Sequence, residues 1–282
     1  MIIQTPAALL QVSPPAAVSS GTGAIDVSVT GLALAAALVL VAVAISHWQR
    51  LGLARDFLVG AFRAVVQLVA IGYVLVYVFA VNRWWLVLLT LVAMLAAATA
   101  AATRRTGSRS PKDRFTMSTI SATAMFVSAG LVLAYVTQVV IRLHPWYEPR
   151  YLIPLFGMIV GAAMNGAALA AERFESEMES RRAEVETYLA LGATPARAAA
   201  EPVRRALVAA LIPAVNGLMV VGLVQLPGMM TGQILAGQSP LLAVRYQIVV
   251  AFMLTAATAM TTVIVVLWYR RKFFTAAAQL AR

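Results

Sequence analysis

The sequence contains no cysteine, and only 12% of its 282 residues are charged. Without cysteine there is no disulfide framework, no thiolate metal site and no thiol nucleophile. An average soluble domain has about 25% charged residues, so this chain also lacks the polar surface that such a domain needs. Any bound metal would have to be met by oxygen, nitrogen or thioether ligands.

Motifs for nucleotide binding and catalysis are missing as well. A P-loop requires a lysine directly after a glycine, and neither of the two lysines, Lys112 and Lys272, follows one. No His-Glu-x-x-His or Gly-x-Ser-x-Gly motif occurs, and the two histidines, His47 and His144, lie in separate connections. We therefore predict that the chain is not an enzyme and carries no cofactor of its own.

Long apolar blocks dominate what is present: 61% of the residues are hydrophobic, and the mean hydropathy is +0.84. The blocks are about 20 residues long, as a membrane-crossing helix requires, and they do not alternate as the strands of a β-barrel would. The sequence predicts an all-α polytopic membrane protein with about seven transmembrane helices. The predicted spans are 27–46, 57–81, 84–102, 115–141, 151–171, 206–226 and 245–268.

The distribution of lysine and arginine predicts the orientation of these spans. With the N-terminus outside, 17 of the 22 basic residues fall in inside connections or the C-terminal end, and three fall in outside connections. This bias follows the positive-inside rule, so we expect a cytoplasmic C-terminus and a multi-pass protein of the plasma (inner) membrane. The net charge of +11 then faces the anionic lipid bilayer, without any nucleic-acid partner.

Three segments follow from this topology. Residues 1–26 contain no lysine or arginine and three prolines, so they lack the charged start of a signal peptide and are expected to form a flexible non-cytoplasmic tail. Residues 27–275 form the transmembrane domain. Residues 276–282 form a short cytoplasmic tail.

The long connection 172–205 differs from the others because it holds seven of the eleven acidic residues, interleaved with arginines. Phe174, Met178, Val185 and Leu189 recur at helical spacing, which predicts a cytoplasmic amphipathic helix. The alternative is a solvated charged extension of the fifth span. Glycine in Leu191-Gly192-Ala193-Thr194-Pro195 can end this helix, and the threonine can cap a second short helix over about 195–205.

Polar residues inside the spans are the other candidates for function, because each is costly in hydrocarbon unless it faces protein or water. Arg63 and Gln67 share a helical face, although Arg63 could instead extend to the inner interface. Asn165 and Asn216 either bond neighbouring helices or line a pathway. The stretch 226–232 is too apolar for an ordinary loop and too broken by proline and glycine for a helix. It is predicted to be a re-entrant or gate-like element, with a hydrophobic outer loop as the alternative.

The order of several motifs resembles the iron-export ABC permease family of the FetB type, to which plant aluminium-tolerance permease subunits are also similar. The resemblance covers about residues 30–275. The motifs that carry it are Arg63-Ala64-x-x-Gln67-Leu68, Pro154-x-x-Gly157-Met158-Ile159, Leu191-Gly192-Ala193-Thr194-Pro195, the quite specific Leu226-Pro227-Gly228-Met229-Met230, and Tyr246-Gln247-Ile248.

This resemblance implies a homodimer of permease chains working with a separate ABC ATPase, which supplies the ATP-Mg site, and exporting iron or another metal ion. It implies that the segment around Gly192 couples to the ATPase through Glu186, Leu191, Gly192, Ala193, Thr194, Pro195 and Arg197. We predict a translocation pathway at Arg63, Gln67, Met164, Asn165, Asn216, Pro227, Gly228, Met229 and Met230. No metal ligands are assigned.

The chain departs from the family pattern at two places. The family often has asparagine where this chain has Ala162, and an Asp and Lys pair where it has Asn216 and Met219, so a shared substrate is in doubt.

A rival function is a non-transporting membrane anchor or sensor that recruits a cytoplasmic partner through 172–205.

Overall fold

The architecture is known from a computed structural model that describes residues 27–105, 111–275 and 277–280. The predicted tail at 1–26 lies outside the described residues. Within the described ranges there is no β-strand, and the long elements are helices. They are α1 (Val29–Trp48), α2 (Ala54–Val81), α3 (Trp84–Arg105), α4 (Pro111–Tyr135, followed by a π-helical turn Val136–Val140), α5 (Pro149–Ser180), α6 (Arg182–Ala190), α7 (Pro195–Ala198), α8 (Ala200–Val220), α9 (Gly228–Leu235) and α10 (Pro240–Arg270).

Seven helices in the described residues are long and apolar enough to cross a membrane: α1, α2, α3, α4 with its π-helical turn, α5, α8 and α10. The shortest has 20 residues, which corresponds to about 30 Å of helix, the thickness of a hydrocarbon core. The predicted all-α fold with seven spans is therefore confirmed.

Helix α5 is the centre of the bundle, where it packs against α3, α4, α8 and α10. It contributes to both large clusters of buried side chains. The first cluster joins Ile159 of α5 to Val87 of α3, Met125 of α4 and Met253 of α10. The second joins Phe174, near the other end of α5, to α6, α7, α8 and the end of α10. Helices α1 and α2 pack against each other and are mostly exposed in the isolated chain, and α2 reaches the first cluster through Val78.

Two predicted boundaries are corrected by the structure. The sixth span does not continue to residue 226: α8 ends at Val220, and Gly222 (φ +85°) begins a turn. The stretch 226–232 is not too broken for a helix either, because α9 runs from Gly228 to Leu235. The proline does not interrupt α9 because Pro227 stands at its N-cap with extended backbone, where no helical N–H is needed.

The long connection is also more continuous than the sequence predicts. Helix α5 extends without interruption from Pro149 to Ser180, so the fifth span and the start of the connection, residues 172–180, are one helix of 32 residues. The second helix predicted over about 195–205 is a single turn, α7, after which α8 starts at Ala200.

The predicted orientation can be tested by labelling, because the native chain has no cysteine to give background. Ala196 is exposed on α7 and Gln238 is exposed in the connection between α9 and α10. We expect a membrane-impermeant maleimide to label the Gln238→Cys variant on intact cells, and the Ala196→Cys variant only after permeabilisation. The reverse pattern would contradict a cytoplasmic C-terminus.

Candidate coupling corner and membrane cavity

The corner between α6 and α7 is closed by backbone hydrogen bonds around Gly192. The Gly192 N–H donates to the Leu189 carbonyl at 3.0 Å, and the Ala193 N–H donates to the Tyr188 carbonyl at 2.9 Å. This is the pairing of a Schellman motif, which requires a left-handed residue just past the helix end. Gly192 has a φ of +84°, so the residue is glycine because a side chain would strain this conformation.

The next residues start α7 in the way that the sequence predicts. Thr194 has extended backbone, and its hydroxyl accepts a hydrogen bond from the Arg197 N–H at 3.4 Å. Pro195 follows at the first helical position, where its missing N–H costs nothing. The predicted helix, tight corner and second short helix are therefore present, and the chain enters α8 directly afterwards.

Ion pairs hold the end of α5 against the start of α6. The Arg181 guanidinium donates to Glu177 at 3.2 Å and to Glu184 at 2.8 Å, so it bridges the two helices at their junction. Arg182 pairs with Glu186 at 2.9 Å in the same segment. The pairs are exposed or half-buried, where each contributes little free energy. Their role is to keep α6 aligned.

Burial of the apolar face supplies the main attachment of this segment to the bundle. Phe174, Met178 and Val185 are all at most 2% exposed, which confirms the predicted amphipathic face over the solvated alternative. Phe174 stacks edge-on against Tyr269 and Phe273, with ring centroids 6.1 and 5.2 Å apart. The segment is thereby anchored to the end of α10.

The opposite side of the corner is exposed. Leu191 at its tip is 79% exposed, and Arg197 on α7 is exposed as well. This side of the corner is therefore accessible in the isolated chain.

The C-terminal segment returns to this corner. The Thr275 N–H donates to the Gln279 carbonyl at 2.8 Å, and Leu280 packs against the second buried cluster. Residues 277–280 and the corner residues from Glu186 to Ala193 together line a cleft of about 570 Å³. The sequence predicts only a short tail here.

A second concave site lies between α5, α8, α10 and the turn before α9. It is a cavity of about 370 Å³. The wall is mostly apolar, and it includes Pro213 inside α8, which has no N–H for the Ala209 carbonyl.

The polar side chains of this cavity are neutral. Asn165 comes from α5, Gln225 from the turn before α9, and Gln247, Thr255 and Thr258 from α10. The Gln247 side chain is 8% exposed, and its amide oxygen has no hydrogen-bond partner in the described part of the chain. An unpaired buried amide oxygen costs about 1–3 kcal/mol, which marks this residue as a candidate for ligand binding.

The structure brings only part of the predicted pathway together. Asn165 and Pro227 line the cavity, whereas the other predicted pathway residues lie outside its wall. Arg63 and Gln67 are exposed on α2, and Asn216 is exposed on α8. The residues outside the wall are Arg63, Gln67, Met164, Asn216, Gly228, Met229 and Met230. Their role in transport stays a prediction.

Sequence reasoning missed the contribution of α10 to the cavity. Gln247 was noted only as part of the family motif Tyr246-Gln247-Ile248, and no role in a cavity was predicted for it. The available signal was the spacing of Thr255 and Thr258, three residues apart and therefore on one helical face.

These features define a multi-pass membrane protein with an anchored corner at one end and a neutral cavity among its spans. A family model described as an uncharacterised protein family, UPF0014, matches residues 29–274. The chain belongs to this family. The resemblance inferred from its motifs is confirmed, because a relative of the FetB type and a plant aluminium-related relative both match most of the chain.

Three relatives illustrate the match. UPF0014 membrane protein slr1647 from Synechocystis is 42% identical over 84% of this chain and 90% of its own length. The protein named Probable iron export permease protein FetB from Escherichia coli is 38% identical over 90% of this chain and 95% of its own. Protein ALUMINUM SENSITIVE 3 from Arabidopsis thaliana is 34% identical over 84% of each chain. No solved structure matches.

Two glycines of α5 provide a matched test of the helix packing that shapes the cavity. A Cβ at Gly166 would lie 2.7 Å from the Thr258 Cγ2, whereas a Cβ at Gly161 would meet nothing within 4 Å. Thr258 is β-branched and stiff in a helix, so we expect Gly166→Ala to destabilise the protein by about 1–3 kcal/mol. Gly161→Ala should be neutral or stabilising by up to about 1 kcal/mol.

Thermal unfolding of the purified variants in one detergent measures this difference. Equal melting temperatures for the two variants would contradict the close contact of α5 and α10 at Gly166.

Proposed function

We propose that this chain is the permease subunit of an ABC transporter and that a separate ATPase binds its α6–α7 corner. The observation that carries the proposal is the corner itself, which is fixed by the backbone around Gly192, anchored by Phe174 and Val185, and exposed at Leu191. Membership of a family that includes a protein named as an iron export permease supports it.

Helices α5, α8 and α10, which line the cavity, also pack against the corner. Ala198 and Ala199, at the junction of α7 and α8, are buried against the second cluster together with residues of α5 and α10. Helices α5, α8 and α10 continue from this cluster to the cavity wall. A force applied at the corner is therefore transmitted to the cavity through packed side chains, which resist compression.

Two permease chains are part of the proposal. Helices α1, α2 and α8 leave most of their apolar surface uncovered in one chain, and Arg63 and Gln67 are exposed on α2. Exposed polar groups within a span are stabilised when they face protein or water instead of lipid. A second copy provides such an environment, and closure of two ATPases against two corners then alternates the access of the cavity.

The cargo that we propose is iron or another metal ion, moved outward. Support comes from the Escherichia coli relative, which is named as a probable iron export permease. No group of three or more His, Cys, Asp or Glu residues able to hold a metal ion occurs in the described part of the chain.

Coupling through the corner is tested by Gly192→Val. No heavy atom lies within 4 Å of a Cβ built at Gly192, so the effect comes from backbone strain at φ +84° and not from a clash. Strain of about 1–2 kcal/mol lowers the equilibrium ratio of native to altered corner roughly tenfold. We expect ATP-dependent transport per ATP hydrolysed to fall while insertion and basal ATP hydrolysis persist.

Gly52→Val is the matched control, because Gly52 also has a positive φ (+72°) and open space around its Cβ position but lies between α1 and α2. It should leave coupling unchanged. Coupled transport at the native rate in Gly192→Val would reject the corner as the coupling element. Binding of a partner by a peptide of residues 172–205, without any transport, would favour the anchor or sensor function.

Metal export is tested with inverted vesicles that contain the chain and its ATPase. We expect ATP-dependent accumulation of iron inside the vesicles, and none with an ATPase whose P-loop lysine is replaced. Absence of ATP-dependent accumulation for iron and for other transition metals would exclude a metal cargo.

A further inference from the structure

The wall of the cavity between α5, α8 and α10 contains no charged residue. A bare multivalent cation gives up strong hydration when it enters such a space, and neutral oxygens among apolar side chains replace little of it. Hard cations such as Fe³⁺ are normally held by carboxylates. This cavity offers none.

The threonine hydroxyls of the wall are available to a ligand only as hydrogen-bond acceptors. The Thr255 hydroxyl donates its proton to the Ala251 carbonyl at 2.9 Å, and the Thr258 hydroxyl donates to the Leu254 carbonyl at 2.8 Å. A hydroxyl has one proton, so only oxygen lone pairs remain for a ligand. The unpaired amide oxygen of Gln247 is a further acceptor on the same helix.

The three acceptors of α10 cannot all coordinate one ion, although Thr255 and Thr258 lie only about 4.5 Å apart along its axis. Gln247 and Thr258 are separated by about 16 Å along the axis of α10, whereas oxygen ligands bind metal ions at about 2.0–2.6 Å. The volume of about 370 Å³ is likewise that of a small-molecule site rather than of an ion site. The acceptors are spaced to contact the periphery of a multi-atom ligand.

We propose that the cavity binds its metal cargo as an electrically neutral complex whose outer groups donate hydrogen bonds to Gln247, Thr255 and Thr258. The proposal rests on the proposed function as a metal exporter and names the form of its cargo. The chemical class is a ferric ion enclosed by small, hydroxyl-bearing chelators, with an apolar outer surface that matches the alanine, leucine and proline side chains of the wall.

A pair of neutral complexes tests this class directly. Ferric tris(kojate) carries hydroxymethyl groups at its periphery, and ferric tris(allomaltolate) has methyl groups in their place. We expect radioactive ferric kojate to bind saturably to the full-length chain, in lipid nanodiscs with its ATPase. Ferric allomaltolate should bind at least about 30-fold more weakly because it cannot donate any of the three hydrogen bonds. Ferrous ions and anionic ferric citrate should not bind at the same concentration.

Substitutions in the wall connect this binding to the named residues. Thr255→Val and Gln247→Leu should each weaken kojate binding by about 3- to 10-fold and leave allomaltolate binding unchanged. Thr123→Val is the matched control, because Thr123 makes the same hydrogen bond, to the Thr119 carbonyl at 2.8 Å, but lies on α4 outside the cavity. It should change neither affinity.

Three results would overturn the proposal: no binding of ferric kojate, equal affinity for both complexes, or tighter binding of ferrous ions or ferric citrate. If the vesicles still export iron with ATP in any of these cases, the proposed function stands and only the form of the cargo is wrong. If no iron is exported in any form, the function and this inference fail together.

Discussion

The close approach of α5 and α10 at Gly166 is the contact on which the rest of the bundle depends. Helices in lipid are not driven together by the hydrophobic effect, so small residues and interhelical hydrogen bonds must hold them. Gly166 allows the side chains of Thr258 and Thr262 of α10 to pack closely against it. Ser128 of α4 forms a hydrogen bond with Thr261, which is also on α10. Since α5 also contacts α3 and α8, this approach positions all the inner helices.

The same contact relates the corner to the cavity. On one side of Gly166 the bundle is filled by Phe174, Val185 and Val265, and the corner is attached there. Gly166, Thr258 and Asn165 themselves line the cavity. The buried cluster that carries the corner and the wall of the cavity are therefore built on one pair of helices. Under the proposed function, partner binding at the corner would change the shape of the cavity through these two helices.

The sequence predicts those parts of the fold that depend on local physics. Block length predicts the seven spans because the bilayer sets the length of a helix, and Gly192, Thr194 and Pro195 predict the corner because each has a backbone preference that needs no distant partner. The end of α8 and the helix at 228–235 were missed because a Pro-Gly pair was interpreted as a break, whereas Pro227 stands at a helix start. The acceptors of α10 could not be identified because their meaning comes from packing against α5 and α8.

The unbroken length of α5 has a mechanical consequence. A helix of 32 residues is a rod about 48 Å long, and α6 begins directly after it, beyond Arg181. If such a rod pivots near its middle, at Gly166, a tilt of about 5° moves each end by about 2 Å in opposite directions. Movements of this size are enough to open or close a narrow passage, so one lever, rather than a chain of separate rearrangements, can serve both faces of the membrane.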